Sequence, residues 1–225
     1  MGKAGRIALV LVGLTVLVLA LAQIFLPGIA ASRISSRLKH YGSVQSVSVS
    51  AWPALKLLWG SADSVKVRAL NLRVTPAQTA KLLWEGRGLS SIEMSATRAQ
   101  EGPLRLRDVR LRKRGSALSA QALVTQADAS AALPPGMSVS LLGSEGGSVK
   151  VRASGGLFGV GAPVDAVAGP SEGKLIAHPL GLLLEGFHLT LFAEPHVYIQ
   201  GVGASSIDTP RAEGAYRLSI SARLR

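Results

Sequence analysis

The chain has 225 residues, 25 Lys and Arg against 13 Asp and Glu, a net charge of +12 and no cysteine. The missing cysteines exclude disulfides, thiolate metal sites and cysteine nucleophiles, so an exported domain of this length must be held by packing. Aromatic residues are only 4% of the chain, which leaves Leu, Val and Ala to build the core.

The first element is a basic head, Met1–Arg6, followed by an apolar run, Ile7–Leu26, interrupted only by Gly13, Thr15 and Gln23. About 20 apolar residues at ~1.5 Å each span the ~30 Å hydrocarbon core of a bilayer. Lys3 and Arg6 place the head in the cytoplasm by the positive-inside rule, and residues 27–225 outside it. Ala20-Leu21-Ala22 has the small-x-small form of a signal-peptidase site. Ile24, Phe25 and Leu26 continue the apolar run past it, which favours an uncleaved transmembrane anchor over a removed signal. Without Lys3 and Arg6 the remainder carries 23 basic against 13 acidic residues, about +10. That suits an anionic lipid surface or wall polymer. Nucleic acid is not expected as a partner, since no base-stacking motif accompanies the charge.

Beyond the anchor, Ala30–Tyr41 has helical spacing, and from Val44 the period changes to two. Val44–Ala51 is an expected strand, ended by Trp52-Pro53; Ala54–Trp59 is an apolar turn of helix. Val65–Val74 is a second strand, with Val65 and Val67 on one face. Leu70, Leu72 and Val74 continue one residue out of phase, the signature of a β-bulge. Pro76–Gly86 has a helical apolar side. Leu104–Arg114 alternates most clearly, with Leu104, Leu106, Val109 and Leu111 against Arg105, Arg107, Arg110, Arg112 and Arg114, and slips at Asp108. Leu118–Val124 is its hairpin partner. Thr125–Asp128 is a capping box with Asp for Glu, opening a short helix that ends at Pro134-Pro135-Gly136. Val149 and Val151, then Phe187, Leu189 and Leu191, alternate with polar residues. Val197–Val202 is read as a strand followed by a loop, Gly203–Gly214, and Tyr216–Ala222 closes the pattern. Eight to ten bulged strands and few helices predict an α+β fold that is mostly antiparallel β, built on one large curved sheet.

An aliphatic face of that size must be covered. It is either filled by the protein's own side chains or left as an apolar groove for a ligand. Catalytic patterns are missing: there is no Gly-x-Ser-x-Gly, no His-Glu-x-x-His, no phosphate loop and no dinucleotide fingerprint. Ser36-Arg37-Leu38-Lys39 matches Ser-x-x-Lys without its companion motifs. His188 and His196, with Glu194, are expected in neighbouring strands but lack a third strong metal ligand. The chain is therefore expected to be neither an enzyme nor a cofactor protein.

In this order, Val44–Ala51 with Trp52-Pro53-Ala54-Leu55 and Leu58-Trp59-Gly60, then Val65–Val74, Leu106-Arg107-Asp108-Val109, Leu123–Leu133, and Leu191–Val202 containing Ala193-Glu194-Pro195-His196-Val197 resemble the LmeA-like phospholipid-binding family of exported proteins. The basic Lys81–Arg114 stretch departs from the usual pattern. The resemblance implies a TULIP-like half-barrel, a long curved sheet wrapped around a helix, binding phospholipid in an apolar groove and serving cell-envelope lipid or glycolipid maintenance. The expected groove lining is Val47, Val49, Val65, Val67, Leu70, Leu72, Leu104, Leu106, Val109, Leu111, Leu189 and Leu191. Arg105, Arg107, Arg110 and Arg112 are expected to meet headgroups at the membrane surface. The alternative is a structural envelope protein with a filled core, whose basic surface binds anionic polymer or a membrane-protein partner.

Overall fold

A computed structural model describes residues 21–23, 25–59, 61–133, 135–155, 163–181, 186–207 and 214–225. The anchor expected at residues 7–26 lies mostly outside them. Among the described residues no helix is long and apolar enough to cross a membrane.

The protein is α+β with two open, mostly antiparallel sheets. Helical residues 21–23 and 25–38 (α1) pass through a 3-10 turn, Lys39–Tyr41, into β1 (Gly42–Ser50). A 3-10 turn, Ala54–Trp59, leads to β2 (Ser64–Val74), α2 (Pro76–Glu85) and β3 (Ser91–Glu101). The hairpin of β4 (Leu104–Arg114) and β5 (Ala117–Thr125) follows, then α3 (Gln126–Ala131). The second sheet comprises β6 (Ser138–Glu145), β7 (Ser148–Ser154), β8 (Val164–Ser171), β9 (Lys174–Pro179) and β10 (Leu189–Phe192). β11 (Val197–Ile207) and β12 (Ala215–Leu224) return to the first sheet. Its order is β1-β2-β3-β4-β5-β12-β11, and the second is β10-β9-β8-β7-β6.

Three expectations are corrected here. The strands form two sheets rather than one. β2 and β3 are parallel, because α2 carries the chain back across the sheet. Residues expected as a loop from Gly203 continue β11 through Ile207, paired residue by residue with β12. Both helix starts follow local chemistry. Thr75 accepts a hydrogen bond from the Gln78 amide while the Gln78 side chain accepts from the Thr75 amide, and Pro76 occupies the first helical position. The Thr125 hydroxyl accepts from the Asp128 amide, as the capping motif predicts.

The register aligns one inner row across all seven strands: Val49, Val65, Ile92, Lys113, Leu118, Ala222 and Ile199. Ala30, Ala31, Ile34 and Leu38 of α1 pack on its Val49–Val65 end. At the other end Leu118, Ala222 and Ile199 share a core with Ala80 and Leu83 of α2 and with Val149, Val151 and Leu175 of the second sheet. The lysine in this row is 1% exposed, and its ammonium donates to the main-chain carbonyls of Leu89 and Arg87. Burial lowers its pKa below the usual lysine value.

The bulges expected near Leu70 and Asp108 are one feature. Pairing skips Leu70 in β2, Thr97 in β3 and Asp108 in β4 at the same level, and Asp108 takes φ 47° to do so. Aligned extra residues bend neighbouring strands together. Leu70 itself is the extra residue and points outward, whereas Leu72 rejoins the core with Ala69 and Ala96. α2 meets the sheet at widely separated places. Thr79 lies beside Glu101 of β3, and Trp84 stacks on His196, next to β11, with ring centroids 4.0 Å apart. Burial pushes the Glu101 carboxyl up, and Thr79 opposes this only weakly, because its hydroxyl forms no well-aligned hydrogen bond.

Hairpin tips of the second sheet cover the free edge of β11. The Val202 amide donates to the Gly147 carbonyl and the Ile199 amide to the Gly173 carbonyl, both at 2.8 Å, which protects an edge otherwise open to strand pairing. Gly173 has φ +80°, and a Cβ there would lie 2.1 Å from the Tyr198 ring. Gly173→Ala is expected to destabilise the protein by more than ~2 kcal/mol through strain and overpacking, read as a lower urea midpoint; an unchanged midpoint would refute this account of the sheet junction.

Candidate functional site

Beyond the bulge line the ends of β2 and β3, the start of β4, residues 39–43 and Asp128 of α3 border an open cavity of about 1090 Å³. Lys39, Arg73, Arg98, Arg105 and Arg107 line it, against the carboxylates of Asp108 and Asp128. Arg107 approaches Asp128 at 4.0 Å, and no carboxylate among the described residues pairs with Arg73, Arg98 or Arg105. Arg98 stands directly opposite Arg107 in the β3–β4 ladder. Like charges in facing positions destabilise a sheet, so the cavity carries a charge excess that a bound anion would relieve. A nearby row of the same face shows the compensated arrangement. Glu93 lies between Lys66 at 3.5 Å and Arg112 at 3.9 Å; such exposed pairs contribute ~1 kcal/mol or less.

Three inner-face residues, Leu72, Ala99 and Leu106, also line the cavity. From them an aliphatic strip continues over the inner face. Val109 pairs with Ala96, and Leu111 with Ala120 and then Ile220. Leu106, Val109, Leu111, Ala120 and Leu218 are half-buried, and Ile220 is 37% exposed. Leu104 to Leu111 extends about 23 Å at ~3.3 Å per residue.

The sequence-derived lining is thus divided. Val49, Val65, Val67 and Leu72 are buried, with Val47 half-buried beside them, and all but Leu72 pack with α1. Leu104, Leu106, Val109 and Leu111 lie on the half-covered stretch. Leu70 faces outward at the bulge. Leu189 and Leu191 are exposed on β10, the edge strand of the other sheet, and are not part of this surface. Of the four arginines, Arg105 and Arg107 line the cavity; Arg112 pairs with Glu93, and Arg110 lies in the outer row beside Ser95. Arg73 and Arg98 were not singled out by sequence, whereas Lys39, with Arg33 and Arg37, was expected at the level of the lipid headgroups. Arg98 sits on β3, whose Ile92-x-Met94-x-Ala96 alternation was the available signal.

His188 and His196 do not meet. His188 lies 6.2 Å from His178 between ring centroids, while His196 stacks on Trp84. β10 and β11 belong to different sheets, which corrects their expected adjacency. Among the described residues no three His, Asp or Glu side chains are grouped to hold a metal.

A family model described as LmeA-like phospholipid-binding matches residues 20–203. No curated protein and no solved structure matches the chain.

Proposed function

The chain belongs to the LmeA-like phospholipid-binding family, and on that premise we propose that it is a membrane-anchored extracytoplasmic protein that holds an anionic phospholipid for cell-envelope lipid maintenance. The observation that carries this reading is that Leu106, the first residue of the aliphatic strip, also lines the cation-rich cavity. Acyl chains lie along Leu106, Val109, Leu111 and Ile220, and the phosphate sits among Arg73, Arg98, Arg105 and Arg107. Burial of acyl methylenes supplies ~0.8 kcal/mol each, offset by chain ordering. In this reading the curved sheet wraps α2 in the TULIP-like manner, and no reaction is performed.

The test is native mass spectrometry of the full chain purified from an expressing bacterium, followed by lipid extraction. A stoichiometric phospholipid is the expected result; a clean apoprotein that takes no lipid from vesicles would overturn the reading. Arg73→Gln, Arg98→Gln and Arg105→Gln combined should lower retention of anionic lipid at least tenfold and of zwitterionic lipid much less, because only the headgroup charge has lost its partners. Equal losses for both lipids would remove the cavity from the headgroup site.

A second reading is favoured by one observation: Arg68, Arg110 and Arg217 of the first sheet lie outside the cavity and have no carboxylate partner among the described residues. A structural protein that binds anionic wall polymer on this face would give the clean apoprotein and a salt-sensitive polymer complex.

A further inference from the structure

The turn between β1 and β2 is apolar on both sides. Ala54 is buried and Leu57 packs into the core beneath α1, which accounts for the inner side. On the outer side Trp52 is 73%, Leu58 64% and Trp59 77% exposed. These are two of the chain's three tryptophans.

The turn is also firmly held. The Trp52 amide donates to Asp63 Oδ2 at 2.6 Å, the Lys56 amide to the Pro53 carbonyl at 3.1 Å and the Ser61 amide to the Lys56 carbonyl at 3.1 Å. Gln23 of α1 fastens it from the other side, donating to the Ala51 carbonyl at 3.1 Å and accepting from the Ala54 amide at 2.8 Å. The nearest acid, Asp63, is paired with Lys56 at 3.5 Å, so no uncompensated negative charge accompanies the aromatics.

Gln23 also fixes where this turn lies along the chain. It stands in the first described turn of α1, near the end of the apolar run Ile7–Leu26. The side of α1 turned away from Ala30, Ile34 and Leu38 is itself apolar over its first turns, with Leu21, Phe25 and Ile29 exposed. It becomes basic at Arg33 and Arg37, about 12 Å beyond Phe25 at Arg33. Apolar first, basic a few turns later, with tryptophan beside the crossing, is the order that a bilayer interface imposes.

We propose that the Trp52–Trp59 turn is a second membrane contact, a wedge seated in the headgroup and upper acyl region of an anionic bilayer beside the anchor. It rests on the anchoring proposed above only for its position. It orients the domain, turning a flexible attachment at one point into a fixed stance over the lipid surface.

The test uses the full chain carrying Trp84→Phe, reconstituted in vesicles of phosphatidylcholine and phosphatidylglycerol with or without bromine on the acyl chains. Trp52 and Trp59 are then the only indoles. The expected result is blue-shifted emission, a twofold or greater loss of intensity in the brominated vesicles and weak quenching by aqueous acrylamide. The complementary variant with Trp52→Phe and Trp59→Phe keeps Trp84 as the reporter and should show no bromine effect. Flotation of the same samples reads the anchor separately. A chain that floats but whose Trp52 and Trp59 are quenched only by acrylamide has a solvated turn, and the proposal fails while anchoring stands. Shielding from both quenchers means that a second copy or another protein covers the turn, which also overturns it. A chain that does not float overturns the anchor and the wedge together.

Discussion

Replacing both Leu111 and Ile220 with aspartate is expected to reduce phospholipid retention at least tenfold while the domain remains folded. The two residues are linked through Ala120 across β4, β5 and β12, in the least covered part of the inner face. Leu111 is half-buried and Ile220 is 37% exposed, so carboxylates there keep access to water in the empty protein. With an acyl chain in place that water is excluded, and an ionised carboxylate in an apolar setting is strongly unfavourable. A single lost contact of 1.4 kcal/mol is already tenfold, and two carboxylates replacing aliphatic contacts exceed it. Lipid extracted from the purified variant measures the effect, and circular dichroism checks the fold. A folded variant that retains its full complement of lipid would show that the chains do not lie on this strip.

The second large effect is on stability. Lys113→Ala is expected to destabilise the domain by ~2–4 kcal/mol. The lysine stem fills the inner row between Ile92 and Leu118, and its removal forfeits about 0.8 kcal/mol per methylene. The carbonyls of Arg87 and Leu89 lose their donor as well, at ~1–3 kcal/mol for each one left unpaired. Relief from burying an ammonium offsets part of this. At ~2–4 °C per kcal/mol for a chain of this size, the melting temperature should fall by roughly 5–15 °C. Lys113→Met, which keeps the stem, isolates the charge. Burial lowers the folded-state pKa below the ordinary lysine value of 10.5, so the unfolded chain binds more protons between the lowered value and 10.5. The stability of the natural protein relative to Lys113→Met should therefore rise with pH through that window and be flat below it. Denaturation curves across alkaline pH supply the comparison, and a difference that falls with rising pH would contradict the buried ammonium.

These sites differ in how far they were readable in advance. Leu104–Arg114 alternates so strongly that its bounds, its two faces and its slip at Asp108 are all present in the strand. The same alternation misplaced Leu70. A bulge shifts the pattern by one residue without marking which residue is extra, and only the pairing with β1 and β3 resolves it. Ser91–Glu101 was not recognised as a strand, since Ser, Thr and Ala dominate its second half and the bulge at Thr97 breaks its period. Lys113 follows Val109 and Leu111 in the phase set by the slip at Asp108, which places it on the inner face, but only the packed structure shows which carbonyls receive its ammonium.

The sequence by itself determined the class of the protein: an apolar N-terminal run, a basic remainder, strands with one aliphatic face, one capped short helix and the family resemblance. Each follows from short-range periodicity and composition, which a linear chain carries locally. The tertiary structure alone decided that the strands divide into two sheets, that β2 and β3 run parallel, and that Leu189 and Leu191 lie on the edge strand of the second sheet. It also decided that Arg73, Arg98, Arg105 and Arg107 share one cavity with Lys39. Those arrangements depend on which strands pair and in what register, and residues more than 60 positions apart meet only once the ladders have formed.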